Sequence, residues 1–276
     1  MTALRAAAMA IHPTAIIEDG ATLGAGVEIG PFCLVGAGVR LGDGVRLISH
    51  VVITGDTMLG ARTVVHPQAV LGGEGQIRKN DFKEARLVIG EDCVLREAVT
   101  MNGGSRKGGG LTRVGANGYF MAYSHVGHDC MVGEGATFAN GVALGGHCQI
   151  GDNVTIGGLS AVQQFCRIGR GAMIGGITGI NRDVIPFAMA FGDHAELAGL
   201  NLIGLKRRGL SRDVIHALRG AFRSIFYGTE GALSDRAQAV KAKWPDIAEV
   251  QEIADFVLAD AKQPLCLARR RAADSD

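Results

Sequence analysis

The sequence predicts an all-β fold, a left-handed parallel β-helix of hexapeptide repeats, followed by a small C-terminal α-helical domain. An aliphatic residue returns every six positions from Ile11 onward, and after two interruptions the spacing continues to Ile180. A Gly often follows that residue, as in Leu23-Gly24, and the fifth position of each hexad is small. A period of six is neither helical nor alternating, and it is typical of β-helices in which each hexad forms one side of a triangular coil.

The repeat gives each hexad position a place in the coil. The aliphatic residue is expected to point inward with the small fifth residue beside it, while Gly suits a corner where φ needs to be positive. Cysteines occupy the inward fifth position, so they are interpreted as reduced core residues rather than disulfide partners or metal ligands. These are Cys33, Cys93, Cys130, Cys148 and Cys166, of which the last three are spaced to stack in one column.

Changes in composition divide the chain into parts. Residues 1–10 form an N-terminal extension, residues 11–186 the repeat, and residues 187–276 a helical domain with a disordered tail. Gly-rich, basic segments at 72–88 and 102–113 interrupt the repeat. They are predicted to be loops on a rigid scaffold, a position that often carries function.

The C-terminal domain shows a helical period. Ser211 is a plausible N-cap before the first amphipathic stretch. A second helix is predicted from near Ser234 to just before Pro245, and a third from Asp246. The β-helix is therefore expected to end before a small group of helices.

Length and charge exclude several classes of function. The chain has 276 residues, a net charge of +1 and 5% aromatic residues. The balanced charge gives no nucleic-acid signature, and no apolar run is long enough to span a bilayer. The start, MTALRAAAMA, is a poor signal peptide, so a cytoplasmic location is expected.

Polar residues break the aliphatic pattern in the stretch SHVGHDC, which contains His128 at the third position of a hexad, expected at the surface. A histidine suits general-base work on a hydroxyl, and a Gly lets a backbone N–H approach an oxyanion. No Ser or Cys nucleophile is in register, which favours direct acyl transfer from a thioester. The coil spacing gathers these residues along one wall: His125, His128, Asp129, Gly146, His147 and Gln164.

Several stretches of the chain carry a family resemblance: IHPTAIIEDGA, IGPFCLVG, SHVVITG, SHVGHDCMVG, QQFCRIG and NLIGLKRRGLSR. They closely resemble the bacterial UDP-N-acetylglucosamine acyltransferases, from His12 to about Phe226. The resemblance implies a cytoplasmic homotrimer that transfers an (R)-3-hydroxyacyl chain from acyl carrier protein to the 3-position of UDP-N-acetylglucosamine. This is the first step of lipid A biosynthesis. No cofactor and no metal are expected.

The resemblance also implies residue roles. His128 matches the general base, Asp129 its supporting carboxylate and Gly146 the oxyanion-hole backbone. Gly176 lies where the family sets acyl-chain length, and a Gly there indicates a longer chain. Residues that match substrate-binding positions are Gln76, Lys79, His125, His147, Gln164, Asn201, Arg207 and Arg208.

Three positions depart from the family's pattern. Ile77 and Ile203 stand where the family has acidic residues, and Gln163 stands where it has a histidine. The residues that match the acyl-transfer machinery are all present, so the three departures concern the identity of the acceptor. They suggest as an alternative a 3-amino analogue of UDP-N-acetylglucosamine, which would give an amide.

Other functions are conceivable on the same fold. A carbonic-anhydrase-like zinc site would use His125, His128 and His147 at a subunit interface, but the LKRRG segment and helical tail have no role there. The related enzyme that N-acylates UDP-3-O-acyl-glucosamine carries an extra N-terminal domain, and the repeat start at Ile11 argues against it. A non-catalytic β-helix used for assembly is the third, and unchanged transfer after His128→Ala would favour it.

Overall fold

The fold is described from a computed structural model over residues 11–78 and 84–269. Predictions for the N-terminal extension 1–10, for Lys79 and for the tail residues 270–276 lie outside the described residues. Across the two described ranges, no helix is long and apolar enough to cross a membrane.

Short strands, most of only two residues, follow one another along the repeat. The first are β1 (Ile16–Ile17), β2 (Thr22–Leu23), β3 (Glu28–Ile29), β4 (Leu34–Val35), β5 (Arg40–Leu41), β6 (Arg46–Leu47), β7 (Val52–Ile53), β8 (Asp56–Leu59), β9 (Val64–Val65), β10 (Val70–Gly73), β11 (Arg86–Ile89), β12 (Val94–Leu95) and β13 (Thr100–Asn102). They continue as β14 (Leu111–Val114), β15 (Tyr119–Phe120), β16 (His125–Val126), β17 (Met131–Val132), β18 (Thr137–Phe138), β19 (Ala143–Leu144), β20 (Gln149–Ile150), β21 (Thr155–Ile156), β22 (Ala161–Val162), β23 (Arg167–Ile168), β24 (Met173–Ile174) and β25 (Gly179–Ile180).

Every third strand stacks in parallel, which produces three faces. Face 1 runs from β1 through β4 and β16 to β25, face 2 from β2 through β17 to β23, and face 3 from β3 through β18 to β24. The register matches the hexad count, because His125 pairs with Ala143 and Ile16 with Leu34. The first corner joins faces 1 and 2, the second joins faces 2 and 3, and the third joins faces 3 and 1.

The interior is filled by the repeat's aliphatic residues, as predicted. Val35, Ile53 and Leu71 from successive coils of face 1 are fully buried. Phe120 and Phe138 from neighbouring coils meet edge to face, with ring centroids 5.0 Å apart. The core is therefore one continuous apolar column along the prism.

The cysteine prediction is confirmed, because all six cysteines are buried free thiols. The Cys130 thiol donates to the Gly145 carbonyl over 3.1 Å, and the Cys148 thiol donates to the Gln163 carbonyl over 3.2 Å. Burial raises the pKa of the Cys166 thiol to about 12. Cys166 therefore stays protonated at neutral pH, and the buried thiols pack as small apolar residues.

The expected role of glycine at the corners is wrong for the Gly that follows the aliphatic residue. These glycines are required because the next coil passes too close for a side chain: a Cβ on Gly90 would lie 2.5 Å from the Ala116 nitrogen. Positive φ falls two residues later, at Asp129 (60°), His147 (62°) and Phe165 (67°). The tight spacing of coils, rather than backbone freedom, therefore selects Gly at that position.

The β-structure extends beyond the predicted boundary at residue 186. Strand β26 (Ala188–Phe191) pairs in parallel with β24, and β27 (Glu196–Leu200) returns antiparallel to β26. The repeat spacing ends near Ile180, so the period gave no signal for these two strands. The helical part begins only after Leu200.

Four α-helices follow in the described part of the chain. They are α1 (Leu202–Arg207), α2 (Arg212–Tyr227), α3 (Leu233–Lys243) and α4 (Ala248–Leu258). The predicted N-cap of α2 is confirmed, because the Val214 N–H donates to the Ser211 hydroxyl over 3.3 Å. The starts of α3 and α4 lie within two residues of the predicted ones.

The C-terminal segment returns to the β-helix beside a buried ion pair. The Arg167 guanidinium donates to Asp183 over 2.6 Å and stacks on Phe256 of α4, 4.4 Å from its centroid. The Asp183 N–H donates to the Pro264 carbonyl, and the Cys266 N–H donates to the Asp183 carbonyl. Arg167 thus connects the last coil to α4, and Asp183 connects it to the segment after α4.

Candidate active site at the first corner

Both interruptions of the repeat leave the prism at the first corner. Loop 1 joins β10 to β11 and loop 2 joins β13 to β14. These four strands extend into the predicted loops, so the described irregular residues are fewer: 74–78 and 84–85 in loop 1, and 103–110 in loop 2. Loop 2 contains a short 3₁₀ helix, η1 (Arg106–Gly108). The loops belong to consecutive coils, and the next coil along the prism places His128 at the same corner.

His128 forms a close pair with the following residue. A distance of 2.7 Å separates His128 Nδ1 from Asp129 Oδ2. The Asp129 side chain is 1% exposed and also accepts the N–H and the hydroxyl of Ser105, over 2.7 and 2.5 Å. Because an ionised carboxylate only accepts hydrogen bonds, Nδ1 carries the proton and Nε2 keeps its lone pair.

The prediction that His128 lies at the surface is wrong, since it is only 6% exposed. Gly75 of loop 1 covers it closely enough that a Cβ there would lie 3.0 Å from His128 Cβ. On its other side, a Cβ on Gly146 would collide with the imidazole ring. Loop 1 therefore converts an outward hexad position into a shielded one.

Gly146 has the geometry expected of an anion-binding backbone group. Its N–H donates to no group among the residues that the structure describes. Gly127 leaves that nitrogen uncovered, because a Cβ at Gly127 would lie 3.0 Å from it. A free N–H beside the His128 ring can receive negative charge that develops on a carbonyl oxygen.

His147 lies one coil further along the same corner. Its Nε2 is 3.7 Å from Asp129 Oδ2, and its ring meets the His128 ring edge on at 5.0 Å. It stacks on Phe165 at 4.5 Å, and Lys262 Nζ lies 4.2 Å from the Phe165 centroid. Burial lowers the pKa of His147, and the nearby charges of His128 and Lys262 lower it further against the opposing effect of Asp129.

Sequence reasoning missed Phe165 and Lys262. Phe165 belongs to the repeat column of Asp129 and His147, so the coil spacing could have revealed it. Lys262 had no such signal, because it reaches the corner only through the return of the C-terminal segment. That segment is fixed there by the Gln263 amide, which donates to the Gln164 carbonyl over 2.9 Å.

His125 lies on β16, beside the corner. A hydrogen bond of 2.8 Å joins its Nδ1 to Thr100 Oγ1. The pKa of His125 is lowered, mainly by burial, and the proximity of His128 lowers it further. His125 is therefore neutral at physiological pH and can donate or accept a hydrogen bond.

Other predicted binding residues at this corner are exposed. Gln76 lies on loop 1 and Gln164 on the corner loop of the next-but-one coil after His128. The two departures at this corner, Ile77 and Gln163, are exposed as well. Their side chains are accessible to a substrate that approaches the first corner.

Residues of the LKRRG region lie at the second corner instead. The Asn201 amide donates to the Gly171 carbonyl over 3.1 Å, and its side-chain oxygen caps α1 by accepting the Gly204 N–H. Arg208 donates to the same Gly171 carbonyl over 3.3 Å, and burial lowers its pKa. Arg207 is exposed. A single chain therefore does not bring these residues to His128.

Gly176, the predicted chain-length residue, lies at the third corner. A Cβ there would lie 3.3 Å from the Gly158 carbonyl oxygen, so a small side chain would just fit. The predicted site residues thus divide among all three corners of one prism.

The residues do not form the three-histidine zinc site within one chain. Among the described residues, the group with metal-ligand spacing contains His128, Asp129 and His147, and it lacks His125. The Asp129 oxygens already accept three hydrogen bonds from Ser105 and His128. A carboxylate so occupied is oriented towards the imidazole rather than towards a cation.

The fold and the corner define a hexapeptide-repeat β-helix with a shielded imidazole–carboxylate pair, the class of arrangement that removes a proton from a substrate. The family model described as Udp N-acetylglucosamine O-acyltransferase, Domain 2, matches residues 183–266. The acyl-(acyl-carrier-protein)–UDP-N-acetylglucosamine O-acyltransferase of Caulobacter vibrioides is 51% identical over 95% of this chain and 99% of its own. The enzyme of that name from Sinorhizobium fredii is 45% identical over 92% of this chain and 94% of its own.

Comparison with solved structures points to the same family as the sequence relatives. LpxA from Acinetobacter baumannii matches with a TM-score of 0.90 and 36% identity, covering 94% of this chain and 100% of its own. A UDP-N-acetylglucosamine acyltransferase from Campylobacter jejuni matches with a TM-score of 0.88 and 34% identity, over 94% and 100%. The chain belongs to the acyl-(acyl-carrier-protein)–UDP-N-acetylglucosamine O-acyltransferase family. The predicted family and the left-handed parallel β-helix are both confirmed.

Proposed function

We propose that the chain transfers an (R)-3-hydroxyacyl group from acyl carrier protein to the 3-hydroxyl of UDP-N-acetylglucosamine, the first step of lipid A biosynthesis. The names of its relatives support this donor and acceptor. The observation that carries the proposal is the His128–Asp129 pair, joined over 2.7 Å. It lies beside the Gly146 N–H, which has no acceptor among the residues that the structure describes.

The transfer needs one base and one oxyanion donor. His128 Nε2 takes the proton from the acceptor hydroxyl as its oxygen attacks the thioester carbonyl, and a C–O bond forms. Negative charge on the carbonyl oxygen is received by the Gly146 N–H. The C–S bond then breaks, and the imidazolium returns its proton to the thiolate of the carrier, so no proton is left over.

Asp129 stabilises the imidazolium during this step. Its carboxylate faces His128 Nδ1, where positive charge develops, and it is shielded from water by loop 2. A buried carboxylate in this position also fixes the ring and its tautomer, as in other imidazole–carboxylate pairs.

We assign the remaining site residues to acceptor and donor binding, with the protein as a homotrimer in the cytoplasm. The division of site residues among three corners supports an oligomer, because a neighbouring chain can bring Arg207 or Gly176 opposite His128. Exposed apolar side chains follow the third corner and support a contact there: Phe32, Tyr123, Leu159 and Ile177, each at least 59% exposed.

Gly176 is proposed to set the acyl-chain length, and its lack of a side chain favours a longer chain. It sits next to exposed Ile177 on the apolar corner, which suits an alkyl chain. Exposed Gln76, Gln164 and Arg207 remain available to the sugar and diphosphate. Six buried free thiols suit a reducing compartment.

Two exposed side chains support an alternative acceptor in place of UDP-N-acetylglucosamine. Ile77 is 40% exposed and Ile203 is 67% exposed, although acidic residues are expected at both positions. Apolar groups there change the polarity that the acceptor meets. The alternative is therefore the 3-amino analogue of UDP-N-acetylglucosamine, with an amide product.

Competition kinetics decide between the acceptors. The full-length protein would be given 3-hydroxyacyl carrier protein with both sugar nucleotides, and ester and amide products would be separated by mass spectrometry. Preference for the hydroxyl sugar supports the proposed function, and preference for the amine supports the alternative. Transfer to neither by the folded protein contradicts both.

A further inference from the structure

We propose that Ser105, on loop 2, is a positioning residue for the reaction: it holds the Asp129 carboxylate against His128 and extends the pair to a chain of three groups. The inference rests on the proposed function. Ser105 bonds to Asp129, and Asp129 bonds to His128, so the effect of Ser105 passes through Asp129.

Ser105 donates a hydrogen bond to each oxygen of the Asp129 carboxylate. Its backbone N–H donates to Asp129 Oδ1 over 2.7 Å, and its hydroxyl donates to Oδ2 over 2.5 Å. The same Oδ2 accepts the proton on His128 Nδ1. Ser105 is 2% exposed, so water does not compete for these bonds.

The backbone of loop 2 folds so that Ser105 can form both hydrogen bonds. The Ser105 carbonyl accepts the N–H groups of Gly108 and Gly110, over 3.1 and 2.9 Å, which closes the loop into a tight turn. A Cβ on Gly108 would collide with the Asp129 carboxylate. The Gly-rich composition of the loop therefore lets its backbone fold directly onto the carboxylate.

The two hydrogen bonds from Ser105 determine whether the Asp129 carboxylate pairs with the imidazole of His128 or with that of His147. His128 Nδ1 lies 2.7 Å from Asp129 Oδ2, and His147 Nε2 lies 3.7 Å from the same atom. A modest rotation of the carboxylate could therefore exchange one histidine for the other. Two donors from Ser105 fix the rotation that favours His128, the residue beside the Gly146 N–H.

Other charged and titratable groups surround this chain of hydrogen bonds. Arg106 and Lys107 follow Ser105 on η1, His125 lies on the adjoining strand, and His147 lies one coil away. Lys262 approaches from the C-terminal segment. None of them is changed by a substitution at Ser105, so a difference in pH dependence reports on the Ser105 hydroxyl.

The test compares full-length Ser105→Ala with Ser105→Thr and with Ser124→Ala. Ser124 is a matched control, because it is 1% exposed and its hydroxyl has no partner among the described residues. We expect Ser105→Ala to lower kcat by about 10–100-fold with KM little changed. The acid limb of its pH–rate profile should move to higher pH, because a carboxylate with fewer donors binds a proton more readily. Ser105→Thr should recover part of kcat, and Ser124→Ala should match the wild type.

Equal losses in Ser105→Ala and Ser124→Ala, or a Ser105→Ala profile that matches the wild type, would overturn the inference. A readout without turnover separates it from the proposed function. In histidine-labelled protein, the NMR signal of the His128 Nδ1 proton should be present in the wild type and in Ser124→Ala, and weakened in Ser105→Ala. Its persistence in Ser105→Ala contradicts the inference, whereas absence of acyl transfer by the wild type contradicts only the proposed function.

Discussion

At the residue scale, two glycines determine how closely the backbone encloses His128. Gly75 from loop 1 and Gly146 from the next coil lie on either side of the side chain. A Cβ on Gly146 would displace the imidazole, and a Cβ on Gly75 would lie 3.0 Å from His128 Cβ. The ring is thus positioned by the absence of side chains around it, as much as by its bond to Asp129. Small errors in the position of a catalytic group are costly to rate.

Gly146→Ala is expected to lower acyl transfer by about 100-fold, because the new methyl group pushes the His128 ring away from its position. Steady-state transfer rates measure the loss. Gly36→Ala is the control, since the nearest atom to its Cβ would lie at 3.3 Å and the coil is remote from His128. Transfer by Gly146→Ala at the control rate would mean that the ring position does not limit the reaction.

Burial of His125 links stability to pH. Its pKa in the folded protein is below 6.5, mainly because of burial, so the unfolded chain binds the proton more readily. The stabilisation is present above pH 6.5 and is lost as the pH falls through the folded pKa. The thermal midpoint should therefore fall between about pH 7.5 and about pH 5.5, and fall less in His125→Gln.

His216→Gln provides the comparison for that experiment, because His216 is exposed on α2. It should show the same fall in thermal midpoint as the wild type. An identical fall in His125→Gln would show that His125 contributes nothing to the acid sensitivity of the fold.

At the scale of the elements, the coils of the β-helix could be predicted from the six-residue period, whereas strands β26 and β27 could not. Each hexad residue is buried or exposed according to its own place in the period, so the inward residues and cysteines were predictable. Strands β26 and β27 lie beyond the last regular hexad, and their pairing depends on β24 rather than on a period. The helices were predictable from their apolar spacing and from the Ser211 cap.

The burial of His128 could not be predicted for a related reason. It depends on the path of loop 1, which is set by contacts with another coil rather than by local sequence. Ser105 offered one weak signal, as the single hydroxyl-bearing residue in the Gly-rich segment 103–110. Its partner was not predictable, because Asp129 lies one coil away.

The element contact most sensitive to mutation is the buried pair between Arg167 and Asp183. Asp183 is fully buried, and its loss would leave the guanidinium unpaired beneath α4. Asp183→Ala should lower the free energy of unfolding by about 3–5 kcal/mol. Glu28→Ala removes an exposed partner of Arg46 and should cost about 0–1 kcal/mol. Thermal unfolding of both variants measures the difference, and equal midpoints would contradict the role assigned to Asp183.

At the scale of the whole molecule, the proposed site residues of one chain are divided among the three corners of the prism. The proposed base, His128, lies at the first corner, Arg207 and Arg208 lie at the second, and Gly176 lies at the third. These groups can act on one substrate only if neighbouring chains place their corners together. The exposed apolar side chains along the third corner give such a contact a hydrophobic surface.

Ile177→Asp is expected to convert the proposed trimer to monomers, because a charge on the most exposed apolar side chain of that corner would be buried in the subunit contact without a partner. Sedimentation analysis measures the oligomeric state of the variant and of the wild type. Met58→Asp on face 2, where Met58 is 43% exposed, is the matched control and should leave the oligomer intact. Ile177→Asp with unchanged mass would place the subunit contact elsewhere.

Single-turnover kinetics test most directly whether His128 is the base for acyl transfer. Purified wild type, His128→Ala and His216→Ala would each be mixed with 3-hydroxyacyl carrier protein and either sugar nucleotide. We predict that His128→Ala loses about 10²–10⁴-fold in rate with the preferred acceptor while His216→Ala retains the wild-type rate. A folded His128→Ala protein that transfers the acyl chain within a few-fold of the wild type would contradict the account.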